Sequence, residues 1–351
     1  MIRKFAIALV VAVILGVGVF SLVDYYLIAP TPKFVPPRIV SIKKGESMTA
    51  AARALAKEGV VRSATAFAIY AEMAGQATLI KPGDYQFRGG ENIGAVLRHL
   101  VNGDFMVVTV TVVEGMTVHQ VGEKLAAAGL VCDNTFDRAA RDGPLVRALG
   151  LAPLGAEGLL FPATYRFSPH ASVNQILAAM IGRFFETVTP GTERRLFQLG
   201  LSLPQMVTLA SMVEKEARVA GERRLIASVF YNRLALRMPL QSDPTAQYNP
   251  TGESRRAVAA VRTPSAFNTY DFTGLPPGPI ASPGLSSIEA VLYPAHTDYL
   301  YFVARDDGTH IFSRTFKQHQ RAIIQVKKMA ANRAVSGEPS HRGSPVAAPH
   351  A

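Results

Sequence analysis

The chain has no tryptophan and one cysteine, Cys132, among its 351 residues. A single cysteine excludes an intrachain disulfide, so an oxidising compartment is neither required nor ruled out. Without tryptophan, stacking against a sugar face falls to tyrosine or phenylalanine. The sequence also lacks a phosphate-binding Gly-x-x-x-x-Gly-Lys loop, a dinucleotide-binding glycine fingerprint and a His-Glu-x-x-His pair. Its eight histidines are scattered, and with one cysteine they form no Cys/His cluster for structural zinc. No cofactor and no metal is implied.

Acidic residues are the scarcer sign. Lys and Arg number 37 against 26 Asp and Glu, giving a net charge of +11 and a pI near 9.8. Such a balance either serves general solubility or favours a polyanionic partner: nucleic acid, anionic lipid or a cell-wall polymer. The N-terminus separates these. Residues 5–23 are an uncharged apolar run, preceded by Arg3 and Lys4 and followed by Asp24. The run is long enough for one bilayer crossing. The bulky Tyr25, Tyr26 and Leu27 stand where a signal peptidase needs small residues, so an uncleaved anchor over residues 5–27 is expected. The basic pair keeps residues 1–4 in the cytoplasm and sends the remainder across the inner membrane. A location there removes nucleic acid as a partner and leaves the wall polymer.

Beyond the anchor, residues 28–37 form a stiff proline-rich linker (Pro30-Thr-Pro-Lys-Phe-Val-Pro-Pro37). A βααβ order follows: a strand over 38–42, a helix over 48–57 capped by Ser47, a helix over 64–74, and a turn into a strand over 79–87. Residues 93–101 read as a helix. The continuous β-branched run 107–113 reads as a buried strand. After the Glu114-Gly-Met-Thr turn comes an amphipathic helix over 118–128. Segments 40–87 and 107–130 share a strand, glycine turn and helix order, as a degenerate repeat would. Residues 134–155 alternate short helices with Gly and Pro breaks, which places a boundary near 145–155. Later helices are expected over 173–187, 204–217, 222–236, 286–292 and 314–333. A hairpin is expected over 299–313, with tight turn Asp307-Gly308. The Pro-, Ser- and Gly-rich tail 335–351 is expected to be disordered.

The helix over 204–217 carries the chemistry. It ends Leu209-Ala-Ser-Met-Val-Glu-Lys-Glu-Ala217, with Met206, Leu209, Ala210, Val213 and Ala217 on one core stripe. Glu214 and Glu216 flank that stripe on opposite sides. Arg218 is one helical turn from Glu214 and is expected to keep it ionised. The helical neighbours of Glu216 are Met212, Val213, Val219 and Ala220, all apolar. Desolvation there should keep Glu216 protonated, as a general acid requires. The plainer reading makes both ordinary solvated carboxylates.

Motifs in order over residues 155–325 carry a family resemblance. They are 157–165 (Glu-Gly-Leu-Leu-Phe-Pro-Ala-Thr-Tyr), 209–217, 228–234 (Ser-Val-Phe-Tyr-Asn-Arg-Leu), 238–248, 268–284, 297–303 and 308–313. The chain resembles the YceG-like endolytic murein transglycosylases of the bacterial envelope. The resemblance implies an α+β fold: one transmembrane helix, a small LysM-like βααβ module over 38–105, a connecting subdomain over 106–154, and a mixed α/β catalytic domain over 155–334 with a glutamate-bearing helix. In such a module the sheet and helices form a shallow groove for N-acetyl sugars; a plain spacer is the alternative. The resemblance also implies a lyase that cuts the MurNAc-GlcNAc bond of nascent peptidoglycan, with the catalytic glutamate at Glu216. The product would carry a 1,6-anhydro end, glycan strand length would be limited, and the enzyme would work beside peptidoglycan synthases. Two departures stand out. Ala163 occupies a position that is acidic in many relatives, and Asn249 follows Tyr248 where a smaller residue is usual.

Other candidates come from the loops. Glu157 either orients the substrate or bonds backbone amides in a buried turn. Asn232 and Arg233 either face the substrate or, for Arg233, pair with a glutamate. Asp243 reads as a helix N-cap before Pro244 rather than a second catalytic carboxylate. Gln241 and Tyr248 are placed for sugar hydrogen bonds, as are Asn268, Thr269 and Tyr270 on a loop that residues 276–279 (Pro-Pro-Gly-Pro) keep from being helical. His310 is more often structural than a ligand. Ordinary glycosidases need two carboxylates, and only one is evident. A hydrolase of the same bond using Asp243, and a non-catalytic wall-binding scaffold, are the competing readings.

Overall fold

The computed structural model describes residues 2–132, 134–151, 155–188, 191–250, 252 and 260–336. The chain forms two compact units. One comprises Met1–Val108 with Arg166–Ala171, the other Thr109–Tyr165 with Ser172–Ala351.

The first unit opens with α1 (Ile2–Val23), which continues through a π-helical turn, Asp24–Ile28. Leu9–Ile28 has a mean hydropathy of 2.1 and none of it is buried, so in length and composition this helix can cross a membrane. Its end is tied down by Arg62, whose guanidinium donates to the carbonyls of Tyr25, Ala29 and Pro30 and lies 4.5 Å from the Tyr25 ring centre. The proline-rich stretch then runs beside the turn at residues 88–91. Thr31 and Phe34 donate their N–H groups to Glu91 and Arg88.

The βααβ order is present. It consists of β1 (Arg38–Ile42), α2 (Met48–Lys57), α3 (Ala64–Met73) and β2 (Gly83–Phe87), followed by α4 (Ile93–Asn102). Ser47, Ser63 and Asn92 cap the three helices through their side chains. The strands pair antiparallel, with Arg38 opposite Phe87 and Ile42 opposite Gly83. Leu55, Phe67, Phe87, Leu97 and Leu100 fill the core with no more than 1% of their surface exposed. Each such side chain contributes about 1.5–3 kcal/mol by leaving water. Tyr85 is buried with them, and its hydroxyl donates to the carbonyls of Lys81 and Leu100. Burial pushes that phenol up to about 12.

In the second unit, β3 (Val108–Val112) pairs with β4 (Ala163–Phe167). The β-branched run is not buried on both faces, as its composition had implied. Val110 and Val112 face inward, whereas Thr109, Thr111 and Val113 are exposed. A two-stranded sheet has one covered face, so valines at the ends of the run reach solvent.

Helix α5 (Val118–Ala127) begins with a Thr117/Gln120 capping box. The strand, glycine turn and capped helix of β1–α2 thus recur in β3–α5, with Gly45 and Gly115 both at positive φ (81° and 77°). Helices α6 (Thr135–Asp142), α7 (Pro144–Ala148), α8 (Val173–Val188), α9 (Thr192–Leu199) and α10 (Leu203–Glu216) follow. A 3₁₀ turn, Ala220–Glu222, leads into α11 (Arg223–Ala235), then α12 (Asp243–Gln247) and α13 (Leu285–Leu292).

The chain closes with the hairpin β5 (Tyr301–Ala304) and β6 (His310–Ser313), and α14 (Phe316–Ser336). Strand β5 is only partly buried, not fully as expected. The expected tail lies, beyond Ser336, outside the described residues. Helix α10 is the centre of this unit: it packs on α11, α12 and α13, and every side chain from Met206 to Val213 is buried.

Candidate active site on the glutamate helix

Helix α10 starts at a Ser202/Gln205 capping box, with Pro204 in its first turn, where a missing N–H costs nothing. It stops at Glu216 because Ala217 is extended (ψ 119°). The stop changes the reasons for both glutamate assignments. Val219 and Ala220 lie past the helix and are exposed, so they do not desolvate Glu216. The start of α12 does so instead. Ser242 donates from Oγ to Glu216 Oε1 at 2.6 Å. Glu216 remains partly open to solvent. Burial pushes its carboxyl up to about 7; the Ser242 hydrogen bond and the Arg218 charge oppose this, and the Asp243 charge adds to it.

Glu214 is buried, but its partner is Arg223 on α11 at 3.3 Å, not Arg218. Its second oxygen accepts the Gly284 N–H at 2.9 Å. Glu214 therefore holds α11 and the start of α13 to α10.

Asp243 sits one position inside α12, and Ser242 is the N-cap residue. The Asp243 carboxylate accepts the Tyr270 hydroxyl at 2.6 Å, and burial raises it above the ordinary carboxylate range. Burial and the adjacent Asp243 carboxylate push the Tyr270 phenol well up. Glu216, Ser242, Asp243 and Tyr270 thus form one continuous polar group.

The loop residues divide by exposure. Gln241 is exposed and sits at φ 51°, in the left-handed region. It is held there by Arg233, which donates to Gln241 Oε1 and to the carbonyls of Pro239, Leu240 and Leu300. Arg233 is buried and engages carbonyls rather than a glutamate; burial lowers its pKa from the ordinary value. Asn232 donates its amide to the carbonyls of Thr297 and Tyr299.

Asn268 and Thr269 have no exposed surface. The Asn268 amide donates to the Val261 carbonyl and to Asp271, while Thr269 Oγ1 accepts the Ser242 N–H at 3.1 Å and lies 2.8 Å from Thr245 Oγ1. These two side chains set the loop from within, and Tyr270 is the one that reaches Asp243.

The Pro loop is fastened onto α10 by Ser211, whose Oγ accepts the Ile280 N–H. The neighbouring turn approaches so closely that a Cβ on Gly158 (φ 80°) would sit 2.6 Å from Pro279 and 2.7 Å from Val207.

Glu157 lies apart from Glu216. Its carboxylate accepts the Val118 N–H at the start of α5 and the Tyr248 hydroxyl at 2.9 Å. Burial pushes it up to about 7 against those hydrogen bonds. Tyr248 is the C-cap of α12, so the two raised glutamates are joined to opposite ends of one short helix. His310 is buried, 2.7 Å from Glu222.

Ser242 is the participant that the sequence reading missed. Its side chain makes no capping hydrogen bond and turns to Glu216 instead, a partnership 26 residues apart in the chain that no local pattern announces. Among the described residues, no group of three or more His, Cys, Asp or Glu side chains could hold a metal ion.

Comparison with known proteins bears on this arrangement. Residues 40–325 match the YceG-like family. The chain is 35% identical over 305 residues to an endolytic murein transglycosylase of Bacillus subtilis (strain 168), covering 81% of this chain and 83% of that protein. It is 30% identical over 319 residues to an endolytic murein transglycosylase of Streptococcus pneumoniae (serotype 2), covering 82% of this chain but 58% of that longer protein. A crystal structure of a YceG-like protein from Listeria monocytogenes matches with a TM-score of 0.56 at 30% identity, covering 83% of this chain and 99% of that one. With the match running from β1 into α14 and taking in the glutamate helix, the chain belongs to the YceG-like family.

Proposed function

We propose that this protein is an endolytic murein transglycosylase with Glu216 as its acid. The observation that carries the reading is the Glu216 carboxyl: raised to about 7 by burial, placed at the end of α10 and held there by Ser242. An acid with a pKa near the working pH is protonated often enough to donate and basic enough, once ionised, to accept. Glu216 protonates the glycosidic oxygen between N-acetylmuramic acid and N-acetylglucosamine. The oxocarbenium-like centre is then attacked by the muramic C6 hydroxyl, whose proton returns to Glu216. A 1,6-anhydro ring closes, and no water is consumed. The internal nucleophile supplies proximity, so one carboxylate suffices.

Gln241, exposed and next to Ser242 in the chain, and Tyr270, bonded to Asp243, are assigned substrate contact. Asn232, Tyr248, Glu157, Asn268 and Thr269 act by holding those loops. The βααβ unit is assigned as a LysM-like wall-binding module. The N-terminal helix is assigned as a single-pass inner-membrane anchor with the remainder on the periplasmic side, close to peptidoglycan synthases. Cutting inside nascent strands would limit their length.

A second reading has its own support. Asp243 lies close enough for its charge to act on Glu216, and a hydrolase needs such a second carboxylate. Digestion of purified glycan strands, followed by mass spectrometry of the ends, separates the two. Anhydro ends with the native protein and no cleavage by Glu216→Gln are expected. Reducing ends establish the hydrolase, and no cleavage by the native protein leaves a wall-binding scaffold.

A further inference from the structure

A cavity of about 340 Å³ lies at the far end of α12 from Glu216. Ser242, which touches Glu216, and Tyr248, which lines the cavity, are the two caps of that helix. At 1.5 Å per residue they stand ~9 Å apart along its axis. One wall is apolar and stiff: Phe267, Pro277 and Pro279. The Phe267 ring is fixed against the Tyr248 ring at 4.8 Å between centroids.

The charged lining carries both signs. Arg141 is exposed at the edge and anchored by a hydrogen bond from Nη2 to the Pro250 carbonyl. Asp137 lies one helical turn before it on the same face of α6, its Oδ2 2.6 Å from His119 Nδ1. The neighbouring Glu157 and Tyr248 are already engaged, since Glu157 accepts from Tyr248 and Val118.

A glycan is a poor match for such a lining. Sugars present many hydroxyls and require many neutral donors and acceptors, whereas this surface offers hydrocarbon and a few fixed charges. A short peptide bearing small apolar side chains, a carboxylate and an amine fits it on every count. The carboxylate would pair with Arg141, in the planar geometry that guanidinium favours. The amine would meet Asp137, and alanyl methyls would pack on the proline and phenylalanine wall. Reach is also satisfied: three extended residues span ~10 Å, comparable to the separation of the cavity from the acid.

We propose that this cavity is a subsite for the peptide stem borne by muramic acid, with Arg141 as its specificity-determining residue. The proposal rests on the murein transglycosylase reading, and its test separates the two. Full-length protein in detergent carrying Glu216→Gln is titrated with the tripeptide L-alanyl-γ-D-glutamyl-meso-diaminopimelate, observed by saturation-transfer NMR. Saturable binding is expected, weakened about tenfold by Arg141→Ala and by a smaller factor by Arg141→Lys, which keeps the charge but not the planar fork. The protein with Glu216 intact is then assayed on glycan strands before and after an amidase removes the stems. The kcat/KM ratio of stem-bearing to stripped strands is expected to be about tenfold and to fall near one in Arg141→Ala.

Absent tripeptide binding, binding insensitive to Arg141→Ala, or equal cleavage of both strands overturns the subsite while leaving the enzymatic reading intact. Binding of a bare chitooligosaccharide that Arg141→Ala abolishes overturns it in favour of a sugar subsite. Tripeptide binding without cleavage of either strand retains the subsite and removes the enzyme.

Discussion

The Ser242 hydroxyl donates to Glu216 at 2.6 Å, so the N-cap of one short helix regulates the acid at the end of another. That hydrogen bond stabilises the ionised carboxylate and lowers a pKa that burial has raised to about 7. Ser242→Ala removes the donor and leaves the burial. The expected outcome is that the alkaline limb of the kcat/KM profile moves to higher pH, because Glu216 stays protonated longer. A profile measured from pH 5 to 9 checks this. A limb that stays in place or moves to lower pH counts against Ser242 as the tuning group.

Glu214 and Glu216 should fail in different ways. Glu214 is 6% exposed and pairs with an Arg223 that is 13% exposed. Glu214→Gln takes away the acid nearest to that guanidinium, leaving it Ser287 at 3.1 Å and Glu114 at 3.9 Å, and is expected to cost about 1–3 kcal/mol, seen as a lower Tm. Glu216→Gln keeps an acceptor for Ser242 and removes a carboxyl whose ionisation weakens the fold, so it should hold Tm at pH 5 and raise it at pH 8 while lowering kcat by about 10²–10⁴. Thermal unfolding and strand cleavage, measured on both variants, distinguish a support from an acid.

Arg233 is a third separable part. Its guanidinium gathers three carbonyls and the Gln241 side chain, which no ammonium can match in geometry. Arg233→Lys should therefore destabilise by about 2 kcal/mol, leaving buried carbonyls short of donors. It should also release Gln241 from its left-handed backbone position and raise KM more than it lowers kcat. Equal effects on kcat and KM would mean that the Gln241 loop is not a binding element.

Much of this was legible in the sequence where the signal is local. Ser47 and Thr117 announce their helices because N-caps act within four residues. The glutamate helix followed from its apolar period and the absence of Gly or Pro beyond its first turn. What was illegible depended on long-range contacts. Nothing near Glu214 names Arg223 as its partner, since the chain must first stop being helical at Ala217. Glu216 is desolvated as expected, but only two of its four expected neighbours are buried, Met212 and Val213; Val219 and Ala220 are exposed, and Ser242 at the α12 N-terminus meets the carboxyl instead. Strand β4 was hidden inside a motif whose Phe-Pro and aromatics read as a turn, and its pairing with β3 is a tertiary fact.

Glu157 predicts a pH dependence of stability that is independent of catalysis. Its carboxyl is pushed up to about 7 in the folded chain, against an ordinary 4.5 in the unfolded one. Below 4.5 both states hold the proton, and the fold has its full stability with respect to this group. Between 4.5 and 7 the unfolded chain gives up the proton first, so stability falls as pH rises. Above 7 both states are ionised and the loss levels off at on the order of 3 kcal/mol. Glu216 follows the same course, and Asp243 moves in the same direction. Glu157→Gln does not titrate, so its unfolding free energy in urea should decline less than that of the native protein between pH 5 and 8. Absolute stability is the poorer readout, since the amide puts an N–H donor where the second carboxylate oxygen accepts the Val118 N–H. Equal slopes for the native and Glu157→Gln proteins would show that burial does not raise this carboxyl, and that Glu157 is held ionised by the Val118 and Gly158 N–H groups and the Tyr248 hydroxyl that donate to it.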